Sequence, residues 1–328
     1  MLKIVVDIYG ADAGIEPVVC GVAKALNQGI DIFPVMVGEA SAITALMEKA
    51  GIPADRYEIV DTDKFIRQDE PAGCIFGGRD DSSMAMALAR LKSDPECQAM
   101  LSAGSTGALV VGSICRLGLL PGLKTPALLS ALPCLGPDRL LCLIDCGANV
   151  ECTAKDLVRF AIMGDVFCKC YCKLPAPRVG LMSVGRESSK GNALTREAHA
   201  LIRELDMNFV GNLEGGDMVS GYADVIVADG YAGNLLLKCA EASGKAAMDM
   251  VRELGKDADP ALTEKIADAI WHRFDFNSQG AATFMGTRKT IVKMHGCANE
   301  DTTVSSILQI QRLENAGFIG ALTTALAK

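Results

Sequence analysis

The stretch Tyr222-Ala-Asp-Val-Ile-Val-Ala-Asp229-Gly-Tyr-Ala-Gly-Asn234-Leu-Leu-Leu-Lys238 decides the fold. Ala223 to Ala228 is a short apolar run that stops at Asp229, the pattern of a buried strand. Gly230 and Gly233 follow as a turn, and Asn234 then opens a long apolar-periodic helix ending near Glu253. A strand fed into a helix through a Gly-rich turn gathers backbone N–H groups and the positive end of a helix dipole at one point. In an open α/β sheet that point lies outside the carboxyl ends of the strands, where ligands bind. Asp229, Asn234 and Lys238 supply it with an acceptor, an amide and a cation. An ordinary strand–turn–helix with a capping asparagine would use the same residues, so the stretch alone assigns no function.

The same unit recurs on both sides. Strands are expected at Lys3 to Val6, Ile32 to Val37, Tyr57 to Val60, Gln98 to Leu101, Pro126 to Pro133, Leu140 to Ile144, Val179 to Val184, near Phe209, and at Thr290 to Met294. Helices are expected at Ile15 to Leu26, Ala40 to Ala50, from Ser82 or Ser83 to Lys92, from Thr153 to about Tyr171, at Thr195 to Leu205, from Pro260, and over Val304 to Leu326. Asp61 to Asp81 reads as irregular. The alternation predicts a three-layer α/β/α fold with a mainly parallel sheet. The expected organisation is a single α/β domain over 1–328, with room for two lobes and a protruding helical segment at about 245–285.

Composition narrows the functions. Half of the 328 residues are hydrophobic and 22% are charged, which suits a soluble α/β protein with an ample core. A formal net charge of −8 gives a nucleic-acid partner no electrostatic support. The chain runs from Met1-Leu2-Lys3 directly into a strand, without a signal peptide, so its 13 cysteines are expected as reduced cytosolic thiols. Cys168-Lys-Cys170-Tyr-Cys172 is the one dense cluster; its one-residue spacers lack zinc-site spacing, and no metal is expected. No apolar run reaches transmembrane length.

The usual nucleophile, phosphate-loop, metalloprotease and dinucleotide signatures are absent from the sequence. What recurs is turns after strands that carry Lys190, Asn192, Asn212, Asn234, Lys238, Lys293 and His295, and a Ser102-Ala-Gly104-Ser105-Thr106-Gly107 turn before a helix. Donors and cations at helix starts suit a phosphate or developing negative charge. One reaction needs little else. Inorganic phosphate is already an anionic nucleophile, and to attack a thioester it needs charge neutralisation, alignment, an oxyanion hole and help for the leaving thiolate. Each lysine taken singly also reads as a solvated surface cation.

Several motifs occur together in one order: Ser102-Ala-Gly-Ser-Thr-Gly-Ala108, Asp145-Cys-Gly-Ala-Asn149, Val179-Gly-Leu-Met-Ser-Val-Gly185 with Lys190-Gly-Asn192, Asn208-Phe-Val-Gly-Asn-Leu-Glu-Gly215, Asp229-Gly-Tyr-Ala-Gly-Asn234 and Val292-Lys-Met-His-Gly296. With these the chain resembles, over nearly its whole length, the bacterial phosphate acyltransferase family of phospholipid synthesis, the PlsX type. The resemblance implies a fold similar to phosphotransacetylases and isocitrate-dehydrogenase-like enzymes. It implies transfer of a fatty acyl group from acyl carrier protein to phosphate, without a cofactor, by a cytoplasmic homodimer peripheral to the inner face of the membrane. Taken with the turns, it makes Lys190, Asn192, Asn234, Lys293 and His295 the candidate catalytic residues. Ser102, Gly104, Ser105, Thr106, Asn149, Asn212, Glu214, Asp229 and Lys238 become candidates for phosphate or donor binding.

The chain departs from the family at Asp7-Ile-Tyr-Gly-Ala-Asp12, Ser105, Phe76-Gly-Gly-Arg79-Asp80, Gly286-Thr-Arg-Lys289 and Cys297. Little positive charge near Arg79 leaves acyl-coenzyme A open as donor beside the acidic carrier protein. Acetyl or short-acyl phosphate formation, and a non-catalytic acyl- or phosphate-binding scaffold, are the alternatives. Ile266, Ile270 and Phe274 with Trp271 form a helical stripe that suits a core, a dimer face or a weak membrane contact. The resemblance leads to the expectation that Trp271 and Phe274 lie exposed at a tip.

Overall fold

The structure, a computed structural model, describes residues 1–133, 139–274 and 281–327. In chain order it begins with β1 (Leu2–Asp7), α1 (Glu16–Asn27), β2 (Ile32–Gly38), α2 (Ala40–Lys49), β3 (Glu58–Asp61), α3 (Ser83–Ser93), β4 (Cys97–Ser102) and α4 (Thr106–Gly112). There follow β5 (Ala127–Pro133), β6 (Leu140–Ile144), α5 (Ala154–Cys170), β7 (Val179–Met182), α6 (Ala193–Arg203), β8 (Phe209–Leu213), α7 (Asp217–Ser220), β9 (Val225–Val227), α8 (Gly230–Leu254) and α9 (Pro260–Phe274). The chain closes with β10 (Ala282–Met285), β11 (Thr290–Lys293), α10 (Glu300–Asn315) and α11 (Phe318–Leu326).

These elements form two compact units, Met1–Pro126 with Gly280–Lys328, and Ala127–Gln279. In the first unit the strand order is β3-β2-β1-β4-β11-β10, parallel except for β10, which runs antiparallel to β11. Ile4, Val5 and Val6 of β1 are all fully buried, as expected of a parallel strand covered on both faces. Each such side chain contributes roughly 1.5–3 kcal/mol by leaving water. Val18 and Val22 of α1 and Ile307 and Ile310 of α10 join Ile4 and Val6 in one core cluster.

The second unit orders its strands β5-β6-β9-β7-β8, with β5 antiparallel to β6 and the remaining neighbours parallel. Its longest core helix, α5, starts at a capping box: the Thr153 hydroxyl accepts from the Asp156 amide, and the Asp156 carboxylate accepts from the Thr153 amide. The β9–α8 junction differs from the expected one. The helix opens at Gly230, capped by Asp229, whose carboxylate accepts from the Ala232 amide at 2.7 Å; Asn234 already lies inside the helix. Gly230 and Gly233 are helical because of what they touch. A Cβ on Gly233 would stand 1.9 Å from the Asp145 carbonyl oxygen, and one on Gly230 would stand 2.4 Å from the Asn149 carbonyl oxygen.

Three smaller differences from the sequence reading are found. Ser82 occupies the position before α3, but its hydroxyl donates to the Arg79 carbonyl at 2.7 Å and does not cap the helix. The strand β10 had no alternating pattern to announce it. Trp271 and Phe274 are not exposed: both are partly buried, and Phe274 packs against α8 where Gly244 leaves room for it. The α8–α9 pair is further held by Arg252 and Glu264 at 2.9 Å, and its exposed apolar residues include Met250, Leu254, Leu262 and Ile266.

The close approach at Gly233 yields a test. Gly233→Ala forces a methyl into a backbone oxygen and is expected to lower unfolding stability by at least ~2–3 kcal/mol. Gly73→Ala, which meets nothing within 4 Å, serves as the control. Equal urea midpoints for the two variants would refute the packing constraint.

Candidate functional site

In the second unit, Ile144 of β6, Val227 of β9, Leu181 of β7 and Asn212 of β8 stand side by side in register. Because these four strands are parallel, the turns that leave their carboxyl ends lie along one edge of the sheet. That edge is where an open α/β sheet binds ligands.

The turn after β6 is built on one carboxylate. Asp145 is fully buried. Its Oδ1 accepts from the amides of Leu128 (2.9 Å), Gly147 (3.2 Å) and Ala148 (3.1 Å). Its Oδ2 accepts from the Asn149 amide at 2.8 Å and the Asn149 side-chain amide at 2.9 Å. Burial nevertheless raises the Asp145 carboxyl above the usual carboxylate range, against the pull of these donors. Asn149 therefore orders the turn from within. Its carbonyl accepts from the Gly230 amide at 2.8 Å, so the start of α8 is seated on the turn. This brings Asn234 next to Gly147, whose Cβ position is 3.4 Å from the Asn234 side chain. Asn234 is exposed, while Lys238, one turn further, pairs with Glu241 at 2.6 Å.

The turn between β7 and α6 carries Lys190 and Asn192. Asn192 caps α6 by accepting from the Thr195 amide at 2.9 Å. Asn212 is nearly buried; its amide donates to the Glu187 carbonyl at 2.8 Å, and its oxygen stands 2.9 Å from His199 Nδ1. It thus ties β8 to the neighbouring turn. Arg186 pairs with Asp217 at 2.5 Å and covers the Tyr222 ring, while the Glu214 side chain is exposed. Lys190 is exposed and makes no ion pair among the described residues. The geometry puts Lys190 and Asn192 in one turn, to which Asn212 is tied from β8, and places Asn149, Asp229 and Asn234 together on the β6 and β9 turns.

The first unit repeats the arrangement with β1, β4 and β11, which are adjacent and parallel. Ser102 is fully buried and donates to Asp7 Oδ2 at 2.8 Å, while its oxygen accepts from the Gly104 amide at 3.0 Å. Ser105 stands before α4 and accepts from the Ala108 amide at 3.5 Å; Thr106 is the first residue of the helix. Gln68 joins the two turns, donating to the carbonyls of Gly10 (3.1 Å) and Ala103 (3.0 Å). Lys293 is buried and donates to the Met294 carbonyl at 2.6 Å. His295 Nδ1 stands 3.2 Å from Cys297 Sγ, and the Asp12 amide donates to the Gly296 carbonyl at 2.7 Å.

Two carboxylates that organise these turns, Asp7 and Asp145, were absent from the candidates drawn from sequence. Their signal is positional: each immediately follows or ends an apolar strand. Gln68 lies in an irregular stretch and had no signal.

Burial pushes the Asp7 carboxyl up to about 6, against hydrogen bonds that favour the ionised form. The folded state therefore holds this proton to higher pH than the unfolded chain. The stabilising contribution is fully present below the free value of 3.8 and is lost as pH rises through about 6. Relative to Asp7→Asn, wild-type unfolding stability is expected to fall by about 3 kcal/mol across that window. Parallel pH profiles from chemical denaturation would show that Asp7 titrates normally.

Comparison with known proteins places this geometry in context. Residues 2–320 match a protein-family model described as fatty acid synthesis protein. A phosphate acyltransferase of Bacillus cereus is 31% identical over 335 residues, covering 100% of this chain and 99% of that protein. A phosphate acyltransferase of Sulfurovum sp. is 34% identical over 316 residues, with 94% of each chain covered. Among solved structures, a phosphotransacetylase from Streptococcus pyogenes aligns with a TM-score of 0.64 at 18% identity, covering 95% of this chain and 94% of that one. A branched-chain phosphotransacylase from Enterococcus faecalis aligns at 0.58 and 14% identity, covering 95% and 98%. At these identities the structures speak for the fold alone, and that fold agrees with the α/β architecture described above.

Proposed function

We infer the reaction from one premise: the chain belongs to the fatty acid synthesis protein family, in company with phosphate acyltransferases along its whole length. The protein is an enzyme that transfers an acyl group from a thioester to inorganic phosphate. A phosphate oxygen attacks the thioester carbonyl, an O–C bond forms, the C–S bond breaks, and acyl phosphate and a thiol are released. The observation that carries this reading is the exposed Lys190, without an ion pair among the described residues, on a turn at the carboxyl edge of a parallel sheet. There a phosphate would meet a cation and the capped start of α6.

In this reading Lys190 neutralises phosphate charge and Asn234 donates to phosphate or to the carbonyl oxygen as it becomes anionic. Asn149, Asn192, Asn212 and Asp229 hold the turns in shape, as their hydrogen bonds support. Glu214 and Lys238 are donor-side contacts. In the first unit, Ser102, Gly104, Ser105 and Thr106 shape the turn before α4, and Lys293 underlies the β11 turn. His295, on the β11 turn of the same unit, is a proposed anion contact.

The proposed donor is a long-chain acyl thioester, carried by acyl carrier protein. The exposed apolar residues Met250, Leu254, Leu262 and Ile266 support a hydrophobic product and a homodimer with weak, reversible membrane contact at this helix pair. Among the described residues no helix is long and apolar enough to cross a membrane. Arg79 pairs with Glu70 at 2.7 Å, which leaves little positive charge there for an acidic carrier; coenzyme A thioesters are the second donor.

Phosphate-dependent thiol release from acyl-carrier-protein and coenzyme A donors of graded chain length tests the assignment. Activity confined to acetyl donors would favour short-acyl phosphate formation, and none at all a scaffold. Lys190→Ala is expected to raise the KM for phosphate by ~10-fold or more with the donor KM nearly unchanged. An equal effect on both substrates would remove Lys190 from the phosphate site. Direct attack requires no acyl-enzyme, so Cys297→Ala, despite its histidine neighbour, should keep kcat within ~3-fold. A trapped acyl-cysteine or ping-pong kinetics would contradict direct transfer.

A further inference from the structure

Three cysteines meet in the core of the second unit, away from the strand-end turns. Cys168 lies in the last turn of α5, and the Cys172 amide bonds back to the Cys168 carbonyl at 3.1 Å, which continues the helical path. Residues 168 and 172 therefore share one helix face, whereas the intervening Cys170 is directed elsewhere. The path stops at Lys173, which takes a left-handed conformation with φ of 58°, and the Leu174 amide returns to the Cys168 carbonyl at 3.2 Å. Cys142 arrives from β6, whose register fixes it beside Val225 of β9. The sulfurs of Cys142, Cys168 and Cys172 all lie within 4.8 Å of one another, and those of Cys142 and Cys168 are 3.3 Å apart.

Three thiolates bound to one metal at about 2.3 Å place their sulfurs within roughly 4 Å of each other. A disulfide would need about 2.05 Å and would leave the third sulfur without a role. Asp224, whose carbonyl stands 3.7 Å from Cys168 Sγ, has its carboxylate held by Arg178 (2.8 Å) and Arg139 (3.0 Å).

We propose that Cys142, Cys168 and Cys172 form a three-thiolate site for a single thiophilic d10 cation, zinc(II) or copper(I). Sulfur-only ligation selects this class over magnesium, calcium or manganese, which prefer oxygen. The bound ion ties the end of α5 to β6 and so raises the stability of the unit without entering the acyl-transfer chemistry. The sequence hid the site because Cys142 lies 26 residues before Cys168 and only the β6–α5 packing unites them.

The test uses the full chain, reduced and anaerobic, titrated with zinc against a chromophoric chelator, with copper(I) against a competing copper(I) chelator, and with cobalt(II) as spectroscopic probe. One equivalent should bind, with a thiolate-to-cobalt charge-transfer band and a raised Tm. Cys172→Ser, at a half-buried position, should weaken binding by ~100-fold or more, as should Cys142→Ala. Cys170→Ser should bind as wild type. Should Cys142→Ala fail to fold, Cys172→Ser still decides the matter. Binding that survives Cys172→Ser, failure to bind any of the three ions, or preferential formation of a Cys142–Cys168 disulfide under mild oxidation would each overturn the proposal.

Discussion

The buried carboxylate of Asp145 is the interaction on which the second unit depends. An ionised or polar group in such a position is tolerated only when its hydrogen-bonding capacity is filled, and five donors from residues 128–149 fill it. In doing so they fix the path of the chain as it leaves β6. The start of α8 then rests on that path so closely that only glycine fits at 230 and 233. Helix, turn and strand end are thereby held in one arrangement, and Asn234 and the neighbouring β7–α6 turn take their places from it. Asp7 plays a comparable part in the first unit, joined to Ser102 at 2.8 Å.

This organisation explains why the site is rich in asparagine, serine and glycine and poor in the acids and bases that usually mark catalysis. Most of those side chains work on the backbone. Asn149 holds Asp145, Asn192 caps α6, and Asn212 ties β8 to Glu187. Such turns have their hydrogen bonds made within the protein itself, the kind of preorganisation that stabilising a transferred anion requires. In the proposed reading the side chains left for the substrate are few, chiefly Lys190 and Asn234.

Much of the fold was legible because parallel strands covered on both faces read as unbroken apolar runs. Ile4 to Val6, Leu141 to Ile144 and Val225 to Val227 are of this kind, and each ends at a polar or Gly turn. Ala282–Met285 was not legible, since four residues without alternation carry no period. The start of α8 was misplaced by four residues because glycine disfavours helices; its use there answers to the Asp145 and Asn149 carbonyls, which only tertiary structure supplies. The site residues were legible as types and not as partners. Sequence shows that Asn212 can donate and accept, but not that Glu187 and His199 take both capacities. Phe274 was expected in solvent, and the space opened by Gly244 on another helix decided otherwise.

In the proposed reading, phosphate binds at the carboxyl edge of the second unit's sheet, over turns ordered by Asp145. Locating the anion directly is the most decisive measurement: a crystal of the protein soaked in arsenate, which replaces phosphate and scatters anomalously. The account predicts an anomalous peak within hydrogen-bond reach of Lys190 or Asn234, lost in the Lys190→Ala crystal. A peak confined to the Ser102–Gly107 turn, or unchanged by that substitution, would contradict it.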